Sequence, residues 1–272
     1  MIHRMRTGLN ITGVLFIFSL LWGACSKVEQ GENYWNSQTG KQSFGVVENN
    51  IGACMSFFDL ALRLNAYLEL TEDQKNELQD LYFADYQLEQ DEEGSWLGIK
   101  GADTVFTVKP DPSALTTESA VWELDGCCEA YQGVLRITCT EIRCWTLEVI
   151  SVINGDWTTE ACLKVKYQGA AIPTYFNEGD WNISGSGNSI SMEAGDSEGV
   201  VVNFNVITPL VKIADSKYLF NEGAVFMALK DIEQQREEMI KAELKLLPDK
   251  GRKLQICCMG NVYSYTDDPV SF

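Results

Sequence analysis

Trp145-Thr146-Leu147-Glu148-Val149-Ile150-Ser151-Val152-Ile153, followed by Asn154-Gly155 and then Cys162-Leu163-Lys164-Val165-Lys166-Tyr167, decides the fold class. Apolar and polar residues alternate with a period of two, and Asn-Gly is a strong tight-turn signal. The texture spreads outward in both directions. Upstream lie Val105–Val108, Val121–Leu124 with a turn expected at Asp125-Gly126, and Val134–Cys139. Downstream, Trp181–Ser184 and Ser189–Met192 flank Gly185–Asn188, which reads as another turn. Val200–Ile207, Gly223–Leu229, and Leu244–Leu247 with Lys253–Ile256 about a Pro248–Gly251 turn continue the pattern, and Val262–Tyr265 ends it. Closely spaced strands broken by turn residues indicate an antiparallel β-sandwich or barrel over 93–272. Residues 231–243, with Ile232, Met239 and Ile240, fit a helix better than a strand.

Before the strands the period changes. Phe57, Leu60, Ala61, Leu64 and Leu68 form one apolar helical stripe. Thr71-Glu72-Asp73-Gln74 has the capping-box form and starts a second helix through Leu78, Leu81 and Tyr82. A helical hairpin is expected over 51–92, so the chain reads as mainly β with an α-helical N-terminal hairpin, an α+β protein. Ser26 to Asn50, rich in Gly, Asn, Gln and Ser, reads as part of a polar tether over 25–50.

The first 24 residues carry Arg4 and Arg6 and then an apolar run from Ile11 to Trp22, the layout of a secretory signal. The run is shorter than the roughly 18 or more apolar residues of a membrane-spanning helix. Leu21-Trp22-Gly23-Ala24-Cys25 resembles the lipobox of bacterial lipoproteins, although Trp22 stands where that family usually has leucine. The resemblance implies cleavage after Ala24, acylation of Cys25 and a membrane anchor of several acyl chains, palmitate among them. With Ser26 after the cysteine, it further implies the outer membrane or cell surface, with a periplasm-facing position left open. It covers only the start of the chain and implies nothing about the rest.

Composition excludes several chemistries. Loss of residues 1–24 leaves 19 basic against 39 acidic residues, a net charge of −20. Such a chain is a poor partner for nucleic acid, whose phosphates are bound by Lys and Arg. The single histidine is His3, inside the signal. The mature chain therefore has no Ser-His-Asp or Cys-His catalysis and no His-ligated zinc. Gly195-Asp196-Ser197-Glu198-Gly199 matches G-x-S-x-G but lacks a following helix and a histidine, so it reads as an acidic turn.

Eight cysteines besides Cys25 are compatible with buried thiols or a few bridges in an exported protein. The acidic loops Asp91-Glu92-Glu93, Asn177-Glu178-Gly179-Asp180 and Glu193–Glu198 offer oxygens to calcium, without EF-hand spacing. Trp157, just beyond Asn154-Gly155, and Trp181, just after an acidic turn, are the candidate ligand-binding residues. An indole at a loop edge stacks on a sugar ring, whereas its commoner use is packing. The sequence thus points to a lipid-anchored binding or structural module for a glycan or protein ligand. The alternative is a glycoside hydrolase built on a carboxylate pair, for which no pair stands out.

Overall fold

The computed structural model describes residues 34–109, 121–128, 131–192, 199–233, 236–248 and 251–267. Cys25, the signal stretch and the Glu193–Glu198 turn lie outside the described residues. Two helices come first, α1 (Tyr34–Leu68) and α2 (Glu72–Tyr82). Thirteen strands follow: β1 (Gln87–Gln90), β2 (Trp96–Lys100), β3 (Asp103–Lys109), β4 (Val121–Cys128), β5 (Tyr131–Glu141), β6 (Cys144–Asn154) and β7 (Trp157–Tyr167). After a 3-10 turn at Phe176–Glu178 come β8 (Trp181–Met192), β9 (Gly199–Lys212), β10 (Glu222–Asp231), β11 (Arg236–Leu246), β12 (Arg252–Cys258) and β13 (Asn261–Asp267). Each strand pairs antiparallel with the next, giving one meander in sequence order. The protein is mainly antiparallel β with an N-terminal helical part, as the alternation implies, and the sheet is not closed into a barrel.

The sheet folds over α1, which touches β4 to β6 and β8 to β12. A helix enclosed this way must be apolar nearly all round. Ile51, Ala53, Cys54, Met55, Phe57, Phe58, Leu60, Ala61, Leu62 and Leu64 are all buried. Within 51–64 only Gly52, Ser56, Asp59 and Arg63, spaced four, three and four apart, keep partial access to solvent. The inner face of the sheet supplies the other half of the core: Trp122, Leu135, Leu147, Leu163, Ile183, Val202, Met227, Ile240 and Ile256. Arg252, 8% exposed, clamps helix to sheet. Its guanidinium forms a two-point pair with the Glu48 carboxylate and donates to the Phe220 carbonyl at 2.8 Å. It also lies 4.8 Å from the Tyr218 ring centroid.

Several expectations are corrected. The helix begins at Tyr34, inside the stretch read as tether, because Phe44, Val47 and Ile51 are buried and extend the apolar stripe backwards. Gly40 and Gly52 serve close packing: a Cβ on Gly40 would lie 2.5 Å from Ile256 Cγ2 and one on Gly52 2.7 Å from Leu219 Cδ2. At the other boundary α2 stops at Tyr82, and Gln87–Gln90 is already strand, so the helical part ends before residue 92. Residues 236–246 form β11, not a helix; Ile240, Ala242 and Leu244 face the core in alternation, and the sheet face overrides the weaker helical spacing.

The turns expected at Asp125-Gly126 and Gly185–Asn188 are strand interiors. Gly126 and Gly185 have φ of +137° and +129°, and a Cβ on either would meet a neighbouring strand's carbonyl oxygen at 2.3 and 2.2 Å. Only glycine fits such a close approach, and at Gly185 it marks a register shift that bends β8. The Asn154-Gly155 turn is present, with Asn154 paired to Trp157 across Gly155 and Asp156. The capping box at Thr71 and Gln74 is formed in both directions.

Candidate functional site

The site begins at Trp181, which the sequence offers as a surface residue and the structure places at 0% exposure. Inner-face parity on β8 puts its ring under a loop. Phe176 stacks on it at 5.2 Å, Tyr167 lies at 4.8 Å, Phe58 at 5.5 Å and Trp145 at 6.0 Å. Its indole N–H donates to the Phe176 carbonyl at 2.6 Å. With both its ring and its N–H used internally, it supports the loop above it and has no face left for a ligand. Trp157 is half-buried on the same inner face of the sheet. Trp157 pairs with Ser191 while Trp181 pairs with Tyr167. Ten residues of β7 therefore separate the two rings, about 33 Å at strand rise. They do not form one platform.

What Trp181 supports is a pair of loops, 168–180 and 213–221, locked to each other and to α1. The Phe176 amide donates to Asp59 Oδ1 at 2.6 Å, and Arg63 pairs with the other Asp59 oxygen at 2.9 Å. Asp215 N donates to the Asn177 carbonyl at 2.9 Å, and Ala214 N to Asp180 Oδ1 at 2.7 Å. Asn221 accepts from Ile213 N at 3.0 Å and donates to Ser216 Oγ at 2.8 Å. Tyr175 reaches across to α2, donating to the Leu81 carbonyl at 3.0 Å. Each contact satisfies a backbone or side-chain group that a loop would otherwise leave to water.

Between these loops and the polar stripe of α1 opens a cleft of about 500 Å³. Ser56, Asp59, Tyr175, Asn177, Glu178 and Asp215 give it hydroxyl, amide and carboxylate groups. Met55, Phe176 and Leu219 give it an apolar floor. A second cleft of about 400 Å³ lies further along α1, between Asn65, Glu69, Arg143 and Ile172. Arg143 there donates to the Gly169 carbonyl at 2.7 Å and holds the start of the long loop.

Lys212 lies behind the first cleft, 2% exposed, with its ammonium donating to the Ile213 carbonyl at 2.5 Å. Burial pushes it down to about 8, against the pull of Asp215 and Asp180. Two acidic loops turn a carboxylate inward: Asp180 to the Ala214 amide, and Asp91 to the Glu93 and Ser95 amides at 2.9 and 2.7 Å. The Ser95 amide is the first cause holding Asp91 below the usual carboxylate range. Among the described residues no group of three or more His, Cys, Asp or Glu is placed to hold a metal ion, calcium included. Buried Cys54 is pushed up to about 12 by desolvation, the behaviour of an inert packing thiol. Cys139, Cys144 and Cys258 are also buried, and Cys257 is disulfide-bonded.

Sequence reasoning missed Asp59, Arg63, Tyr175 and Asp215 and took Asn177 only as part of an acidic loop; three separate segments bring these residues together. The one local signal was the break in the apolar pattern of α1 at Ser56, Asp59 and Arg63. Among the described residues no helix is long and apolar enough to cross a membrane. No protein-family model matches the chain, and no curated protein or solved structure proved similar to it.

Proposed function

We propose that this is a lipid-anchored envelope protein that binds a polyhydroxyl ligand, a glycan end, in the cleft between α1 and the loops 168–180 and 213–221. The observation that carries the reading is the cleft itself: open, lined by amide, hydroxyl and carboxylate groups over an apolar floor, and held in shape by loop-to-loop hydrogen bonds. Such a lining suits sugar hydroxyls and a sugar's apolar face, and preorganisation lowers the entropy cost of binding. The absence of histidine after residue 24 and the occupation of Asp59 by Arg63 and a backbone amide favour binding over catalysis. Anchoring is carried by the lipobox resemblance at Cys25. Three acyl chains would hold the protein firmly, at about 0.8 kcal/mol for each buried CH2.

Two experiments test the two halves. Labelled palmitate is expected to enter the wild-type chain and not the Cys25→Ser chain; equal labelling would remove the anchor. Hydrogen exchange with and without ligand is expected to show protection at 175–178 and 215–219. Protection confined to the outer face of the sheet would point instead to a protein partner there.

A further inference from the structure

The direction of α1 fixes which end of the sheet lies nearest the anchor. Gly40 abuts Ile256, and Glu48 pairs with Arg252. Eight helix residues, about 12 Å, thus run alongside four residues of β12, about 13 Å, in the opposite sense. β6 shows the same sense, with Asn50 against Asn154 and Phe58 against Trp145. Tyr34, six residues before Gly40, therefore lies about 9 Å further along, level with the β12–β13 turn at Met259-Gly260. Only eight residues, 26–33, separate Cys25 from Tyr34, a reach of about 30 Å at full extension.

That turn breaks two local rules. Met259 has φ of +51° in a two-residue turn where Asn or Gly is favoured, and its side chain is 65% exposed. The hairpin is also uncharged from Leu254 to Thr266, in a chain of formal charge −18. The neighbouring turns at the same end carry Asp156 and, at β10–β11, Asp231 and Glu233. One carboxylate, Glu238, lies behind the tip, 3.9 Å from Cys258 Sγ. A neutral tip bearing an exposed, flexible apolar side chain level with the start of α1 fits the interfacial layer of a zwitterionic bilayer.

We propose that the β12–β13 hairpin tip contacts the bilayer holding the anchor, so that the protein stands on Met259 and displays its loop end outward. The proposal rests on the anchor reading at Cys25. The loop end is far from the bilayer in this pose, since the 35 residues of α1 span about 50 Å.

The test uses the acylated protein in phosphatidylcholine nanodiscs containing a headgroup spin-labelled lipid. A trifluoromethyl-phenylalanine replaces either Met259 or Ile142 of the β5–β6 turn, which at 74% is the more exposed of the two and lies at the loop end. The fluorine line at 259 is expected to broaden several-fold more than the line at 142. Equal broadening, or more at 142, overturns the proposal. Mass spectrometry of the Cys25 peptide decides the anchor separately. If it finds no acyl group, residues 26–272 held by an N-terminal His tag on nickel-chelating nanodiscs give the same comparison, with the same outcomes.

Discussion

At one end of the sheet, Gly155 and Asp156 alone join β6 to β7, and Met259 and Gly260 join β12 to β13. At the other end, thirteen residues, 168–180, join β7 to β8, and nine, 213–221, join β9 to β10. The short turns are governed by backbone conformation: φ is +58° at Gly155, +51° at Met259 and +81° at Gly260. The long loops are governed by side chains, through Asp59, Asp180, Asn221 and the Trp181 indole. A turn of two residues has no room for a cleft. A loop of nine to thirteen residues has room, but it needs side-chain partners to keep one shape. The protein therefore places its open, polar cleft at the end where it can also place those partners.

The largest expected effect is at the loop end. Trp181→Ala removes the ring on which the 168–180 loop rests and is expected to cost about 3–5 kcal/mol by denaturant titration. Amide exchange is expected to accelerate across 168–180 and 213–221 more than at Gly155. Uniform acceleration would mean that the loops do not depend on this ring.

Lys212 gives the next effect. Its folded value of about 8 lies below the ordinary 10.5. Between those pH values the unfolded chain holds a proton that the folded chain has released, so protons favour unfolding. Stability is expected to rise with pH through that window, by on the order of 2–3 kcal/mol in all. Lys212→Met is expected to flatten the rise relative to wild type. An unchanged slope would place the ammonium in contact with water.

The smallest effect is at the short-turn end. Gly155→Ala forces a Cβ into the left-handed region and is expected to cost about 1–2 kcal/mol. It should leave loop-end exchange rates unchanged, and a loop-end response would show the two ends to be coupled.

The β6–β7 hairpin was legible in the sequence because its side-chain period, Asn-Gly turn and burial all agree. Thr71 and Gln74 were legible for the same reason: the cap is a local interaction. Several errors fall where glycine means contact and not freedom, whereas the helix expected at 231–243 failed because the inward alternation of Ile240, Ala242 and Leu244 outweighs the helical spacing. Gly126 and Gly185 make way for neighbouring strands, and Gly40 for Ile256, yet from sequence alone they read as turn or tether residues. Trp181 was misplaced because strand parity was invisible through the Gly185 bend. The cleft was illegible for a different reason. Ser56, Tyr175 and Asp215 come from three segments, and only the crossing of a buried helix with two loops makes them neighbours.

The cleft's role as a binding site is tested most directly by a glycan array probed with residues 26–272 as wild type, Asn177→Ala and Asp215→Asn. Specific binding by the wild type, weakened at least ten-fold by both variants and unaffected by Met259→Ser at the opposite end, is the expected result. Wild-type binding that both cleft variants retain in full would contradict it.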